Sequence, residues 1–222
     1  MKILAIEFSS SQRGVALLDQ EGDDASQARL ASQVEVSGRE THSAGMVSAV
    51  LDQLGLVPSR IDRLAVGLGP GSYTGIRHAL AFAQGWQLAH GTPVVGISSA
   101  RTMASQMKRL GHRGHLGIVI DALRKEFYLG LWDLDDRTEP ASERLHLVEA
   151  ARLLQLQQEG VALAGPLAAL PLGVVREVYP SAAELARLAL SEEGTTQAET
   201  LAPIYLRTMS FVKGPPPRQW PE

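Results

Sequence analysis

Cysteine is absent from the 222 residues, which excludes disulfides, zinc–thiolate centres and cysteine nucleophiles and fits a reducing cytosol. Long apolar runs are absent too. The N-terminal run Ile3–Ile6 is interrupted at once by Glu7. That is too short for a secretion signal, and no segment approaches the ~20 apolar residues of a membrane span. A soluble, cytoplasmic protein with no membrane association is expected. Charge of one sign is lacking as well: Lys and Arg number 21 against 24 Asp and Glu, for a net charge of -3. The chain as a whole therefore has no electrostatic preference for nucleic acid. Any such role needs a local basic patch or a basic partner. The 45% hydrophobic content is ordinary for a globular protein and supplies one large or two small cores.

Several chemical templates are missing. Residues 67–80, GLGPGSYTGIRHAL, hold four glycines in their first nine positions, yet no Gly-Lys precedes Ser or Thr as in a Walker loop. The G-x-G-x-x-G pattern fails in both registers, at Ser72 and at Thr74, and Pro70 removes one backbone N–H. The stretch reads as a tight strand-to-helix turn whose remaining N–H groups, around Gly69, Gly71 and Ser72, offer a weak anion site at the helix start. No G-x-S-x-G elbow surrounds Ser72. His42 is followed four residues later by Met46, so the i, i+4 histidine pair that would place two metal ligands on one helix face is missing. No metal site is expected.

What is present is periodic. Strands are expected at 2–8 and 13–19, joined by the turn SSSQ, with a third at 28–36. A helix follows near 43–55, with Val47, Val50, Leu51 and Leu54 on one face and Thr41 or Ser43 as its cap. Then come a strand at 61–68, a helix at 74–90 closed by Gly91, a strand at 93–97 and a helix at 98–110. The order is β-β-β-α-β-α-β-α. Residues 4–19 superpose without a gap on 118–133: Leu4 falls on Ile118, Ile6 on Ile120, Glu7 on Asp121, Val15 on Leu129, Leu17 on Leu131 and Asp19 on Asp133. An internal duplication is expected, continued by a helix at 149–158, a strand at 161–165 and a helix at 181–190. The boundaries are a first lobe over 1–98, a smaller degenerate lobe over 99–208, and a Pro-rich tail over 209–222 expected to be disordered.

Glu7 ends its strand beside a hairpin, where a carboxylate holds either a hydrated metal near a nucleotide or its own turn N–H groups. The two early helices are more informative. Opposite the core stripe of the first lie His42, Gly45, Met46, Ala49 and Gln53. Opposite Ile76, Leu80 and Ala83 of the second lie His78, Ala81, Phe82, Gly85 and Ala89. Arg77 is the one formally charged residue from 74 to 90. A helix apolar nearly all round is covered on both sides, the outer side either by the chain's own second lobe or by a partner, and these ten residues are read as a partner interface.

MKILAIEFSS, RETHS, GLGPGSYTGIR, PVVGISSA, DALRKEFY and the closing PIYLR, with Tyr205 and Arg207, resemble the bacterial TsaB (YeaZ) family in order and spacing over nearly the whole chain. The resemblance implies an α/β fold of two tandem ribonuclease-H-like lobes, related to the actin, Hsp70 and sugar-kinase ATPases, with mixed sheets flanked by helices. It implies a non-catalytic partner of TsaD, the homologous enzyme that carries the metal, in threonylcarbamoylation of the adenosine beside the tRNA anticodon. TsaE is the ATPase of that system, and TsaC supplies the activated threonylcarbamoyl group. The metal-binding histidine pair of TsaD corresponds to His42 and Met46 here. The family usually has aspartate where this chain has Glu7. From this come the expectations of tRNA contact only through the complex, a homodimer when alone, no catalytic residues and no bound cofactor, with ATP or ADP confined to the junction with TsaD and TsaE. The alternatives are a stand-alone ATP-dependent kinase of the same fold and a peptidase.

Overall fold

The computed structural model describes residues 1–21, 28–36, 42–135, 144–166 and 175–205. The tail from 209, Thr41, Arg207 and most of the RETHS stretch lie outside them. Three strands open the chain, β1 (Lys2–Glu7), β2 (Gln12–Asp19) and β3 (Arg29–Val36). They are followed by α1 (Ser43–Leu54), β4 (Arg63–Gly67), α2 (Tyr73–His90), β5 (Val94–Ile97) and α3 (Ser99–Arg109). The second run is β6 (His115–Asp121), β7 (Glu126–Asp133), β8 (His146–Glu149), α4 (Ala150–Gln158), β9 (Ala162–Gly165), β10 (Val175–Glu177) and α5 (Ala182–Ser191). The short strands β8 and β10 were not expected from the pattern. Three or four residues leave too little alternation to register.

Two five-stranded sheets result, ordered β3-β2-β1-β4-β5 and β10-β9-β6-β7-β8. Read from their third strands, the two orders are the same, and in both the hairpin strands pair antiparallel while the later strands pair parallel. The expected duplication is therefore present at the level of topology.

Its register needs one correction. In the first hairpin Leu4 pairs with Leu17 and Ile6 with Val15, and all four share a core with α1 and α2. In the second hairpin the pair sharing a core with α4 is Val119 with Leu129, while Ile118 and Ile120 belong to the core built with α3. Val15 on Leu129, Leu17 on Leu131 and Asp19 on Asp133 stand. Leu4 and Ile6 fall on Gly117 and Val119, one residue earlier than expected. A one-residue slip moves every side chain to the other face. Glu7 alternates with Ile3 and Ala5, which pack with α5. Asp121 lies on the opposite parity, is exposed, and accepts the Leu123 N–H at 2.7 Å. The extra residue sits in a turn where Leu123, Arg124 and Lys125 all take positive φ.

The helices cross between the sheets. On one face of the first sheet lie α1 and α2, burying Val47, Val50, Leu51, Ile76, Ala79, Leu80 and Ala83. Its other face, Ile3, Ala5, Ala16, Leu18 and Ala65, is covered by α5 through Leu185, Ala186, Leu188 and Ala189. Ala100, Met103, Ala104 and Met107 of α3, which follows the first sheet in the chain, pack on the second. Buried Glu184 of α5 ties the exchange together, accepting from Ser105 Oγ at 2.8 Å and Arg109 Nε at 2.6 Å on α3. The chain returns to the first lobe at its end. Thr196 bridges to Val94, Ile204 N–H donates to Leu68 O at 2.9 Å, and Tyr205 stacks on Tyr73 at 5.5 Å.

Because α5 completes the first core, Leu185→Ala should lower global stability by about 3 kcal/mol within one unfolding transition. Urea unfolding followed by both tryptophan fluorescence and circular dichroism checks this. Two separate transitions, with the substitution moving one alone, would contradict it.

Candidate functional site

The hairpin, the glycine stretch and the start of α3 meet around Glu7. Glu7 is fully buried at the end of β1, and its carboxylate lies over Gly67, where a Cβ would come within 2.0 Å of Oε2. Oε1 accepts the Ser9 N–H at 2.8 Å and Oε2 accepts the Ser99 hydroxyl at 2.8 Å. Ser99 Oγ in turn accepts the Gly69 N–H at 3.1 Å, and the Ser99 N–H donates to Gly69 O at 2.8 Å. One carboxylate thus joins β1, the end of β4, the glycine stretch and α3. Burial pushes its carboxyl above the usual carboxylate range, opposed by the hydrogen bonds from Ser9 and Ser99.

The glycines serve contact with this hairpin. Gly71 has φ of +150°, and a Cβ there would meet Ser9 O at 2.1 Å; one on Gly75 would meet Phe8 O at 1.9 Å. The Ser72 N–H donates to Ser9 O at 2.7 Å, and Ser72 Oγ caps α2 by accepting from Gly75 N–H at 3.3 Å. The four sequence candidates for nucleotide or anion binding, Glu7, Gly69, Gly71 and Ser72, are therefore brought together. The Gly69 and Ser72 N–H groups that would hold a phosphate are already bonded within the protein, and the Glu7 carboxylate is enclosed. Ser72 Oγ has no histidine or carboxylate bonded to it among the described residues. Nor do those residues hold a group of three His, Asp or Glu placed to bind a metal ion.

The interface candidates divide. His42, Gly45 and Gln53 on α1 and Ala81, Gly85 and Ala89 on α2 are exposed, and Ala49 is half-buried. Met46 is corrected: it is buried in the core with Val47 and Val50, because the apolar stripe of α1 runs Ser43, Met46, Val47, Val50, Leu51 and is wider than the four-residue stripe expected. His78 and Phe82 are half-buried and engaged internally. His78 Nε2 is 3.0 Å from Ser43 Oγ, its ring packs edge-on to Phe8, and Phe82 stacks on Trp86. Ser43 therefore links the two helices, and the residue at the N-cap position is His42, whose side chain makes no capping bond. The sequence reading missed Leu88, which is 91% exposed. Its place seven residues after Ala81 and three after Gly85 was the signal that marks it as part of the same face. With Ala81, Gly85 and Ala89 it forms an uncharged surface on a helix whose other side is the core.

Fold and site together define a two-lobed α/β protein, built on two five-stranded mixed sheets of the same order, with its hairpin site closed on itself. Residues 40–204 match the family model described as TsaD, tRNA N6-adenosine threonylcarbamoyltransferase. The tRNA threonylcarbamoyladenosine biosynthesis protein TsaB of Escherichia coli is 29% identical, covering 93% of this chain and 95% of that one. YeaZ from Pseudomonas aeruginosa superposes with a TM-score of 0.75 at 26% identity, covering 92% and 99% of the two chains. A second structure from that organism, of a protein described as similar to peptidase YEAZ, gives 0.76 at 26%, covering 93% and 99%. The chain belongs to the TsaD-related family of that model, and within it to the TsaB (YeaZ) proteins.

A buried carboxyl with a raised pKa stabilises the fold fully below its unfolded-state value, and that contribution is lost as pH rises through the folded-state value. The Glu7→Gln variant should therefore gain stability relative to the parent as pH is raised from about 4 to 8. Urea midpoints of both proteins across that range test it. A difference that does not change with pH would mean that Glu7 titrates normally.

Proposed function

We propose that this chain acts in tRNA threonylcarbamoyladenosine biosynthesis as a scaffold or activator subunit, not as the transferase. It pairs with a TsaD-type homologous subunit, with a TsaE-type ATPase joining them. The observation that carries the reading is the exposed outer face of α2, where Ala81, Gly85, Leu88 and Ala89 carry no charge, continued by Gly45 and Ala49 of α1, with Arg77 and Asp52 as the exposed charges beside it. Small residues permit close helix–helix approach, and exposed Leu88 supplies an apolar anchor near the C-terminal end of α2. In the partner's absence the same face pairs with a second copy of the chain, an isologous contact. Localisation to the cytoplasm follows from the tRNA substrate of the relatives. Among the described residues, no helix is long and apolar enough to cross a membrane.

Catalysis is assigned to the partner. Met46 occupies the place of a metal-binding histidine and lies in the core, and Ser72 is bonded as a helix cap. ATP or ADP belongs, on this reading, only at the junction with the other subunits. The similarity of one Pseudomonas aeruginosa protein to a peptidase finds no base bonded to Ser72 among the described residues to support it here.

Ala81→Arg or Leu88→Arg should weaken pairing with the TsaD-type subunit at least 30-fold, about 2 kcal/mol. Both positions are exposed on the single chain, so its far-UV circular dichroism spectrum should not change. Size-exclusion co-elution and calorimetry read the outcome, and undiminished pairing by both variants would remove the interface from α2. Separately, the free chain titrated with ATP and magnesium should show no micromolar binding. Such binding, collapsing in Glu7→Ala, would favour the kinase instead.

A further inference from the structure

Four cations gather where the C-terminal end of α3 meets α5. Lys108, Arg109, Arg113 and Arg187 line a cavity of about 370 Å³ with Ser105, Leu188 and a single acid, Glu184. Glu184 is 2% exposed and engaged on its inner side, accepting from Ser105 Oγ, from Arg109 Nε at 2.6 Å and from Arg187 at 3.5 Å. The lining is left with an excess of three positive charges, in a chain whose net charge is -3. Cations at a helix C-terminus complement its dipole. That explains Lys108 and Arg109 in the last turn of α3 but not Arg187, which α5 brings to the same cavity.

Glu184 also holds the two guanidiniums in position. The hydrogen bond of Arg109 uses Nε, which leaves its terminal nitrogens without a partner among the described residues, while its side chain is half exposed. A guanidinium fixed at one edge and open at the other suits the oxygens of a phosphate. Arg113 donates to the carbonyls of Lys108 and His112 and so is held beside them.

We propose that this cavity binds the phosphodiester backbone of a structured RNA, so that the chain touches tRNA directly. The proposal rests on the tRNA-modification reading above. An acidic protein partner is disfavoured because the one apolar lining residue, Leu188, is buried and offers no anchor of the kind protein interfaces centre on. The location fits simultaneous binding. α5 covers the face of the first sheet opposite to α1 and α2, so a subunit seated on those two helices leaves the cavity open.

Fluorescence anisotropy with labelled tRNA, for the chain assembled with its TsaD-type subunit and for the free chain, tests this between about 50 and 200 mM salt. Lys108→Glu with Arg113→Glu should raise Kd about tenfold or more and flatten the dependence of log K on log salt by one to two, at about 0.7 to 0.9 for each phosphate no longer neutralised. Arg187→Gln, which keeps the Glu184–Arg109 pair, should give a smaller effect of the same kind and guards against a misfolded double variant. An unrelated duplex RNA should respond equally, since binding to phosphates carries no sequence information. Unchanged affinity and salt slope in folded variants would overturn the proposal. So would retained tRNA binding with loss of the TsaE-type subunit, which would assign the cavity to a protein. If the parent chain and TsaD-type subunit do not co-elute, the assembly reading fails. The tRNA titration of the free chain and its variants then still decides the cavity.

Discussion

The arrangement depends on one enclosed carboxylate. Glu7 reaches from the first turn to Ser99 at the start of α3 and covers Gly67 at the end of β4. A charge without solvent is costly unless hydrogen bonds compensate it, so its donors must stay in place. Holding Ser99 holds Gly69, and Ser9 holds Ser72, which caps α2. The direction in which α2 leaves the sheet follows from this series of hydrogen bonds. The Glu7 side chain spans Ser9 and Ser99 together, and the hairpin site becomes part of the core. A glycine-rich stretch that looks like a phosphate cradle is a seat for neighbouring backbone.

The molecule consequently presents two surfaces of different chemistry on either side of one sheet. Along the outside of α2 from Ala81 to Ala89 the surface is uncharged, with Leu88 standing out from it. At the seam between α3 and α5 it is cationic and organised by Glu184. The first is suited to another protein of similar shape and the second to a polyanion. Neither needs a reactive group.

Much of this was legible in the sequence, and the exceptions have physical causes. The order of the elements, the duplication and the glycine turn could be read because alternation, helical stripes and Gly91 mark them locally. The register of the copies could not. Ile3–Ile6 and Ile118–Ile120 are apolar on both faces, as parallel strands covered on both sides must be, and a pattern without phase cannot reveal a slip of one residue. Met46 was misplaced for a related reason: its neighbours on α1 are small, so the edge of the buried stripe is ambiguous. The helix at 181–190 could be read, but not what it covers. Its partners, Ile3, Ala5, Ala16 and Leu18, lie more than a hundred and sixty residues away. The cationic cavity is assembled from α3 and α5, so composition alone shows only a net acidic chain.

The exchange of helices also sets a timetable for synthesis. As the chain leaves the ribosome, the first sheet can form and gain α1 and α2 early, yet its second apolar face stays bare until Ala182–Ser191 has emerged. Nascent chains that expose such a face for long are prone to mispairing and to capture by chaperones. The two lobes cannot mature in sequence as separate domains do. The first core waits for α5, encoded after the second sheet, and α3 waits for the second sheet on which it packs.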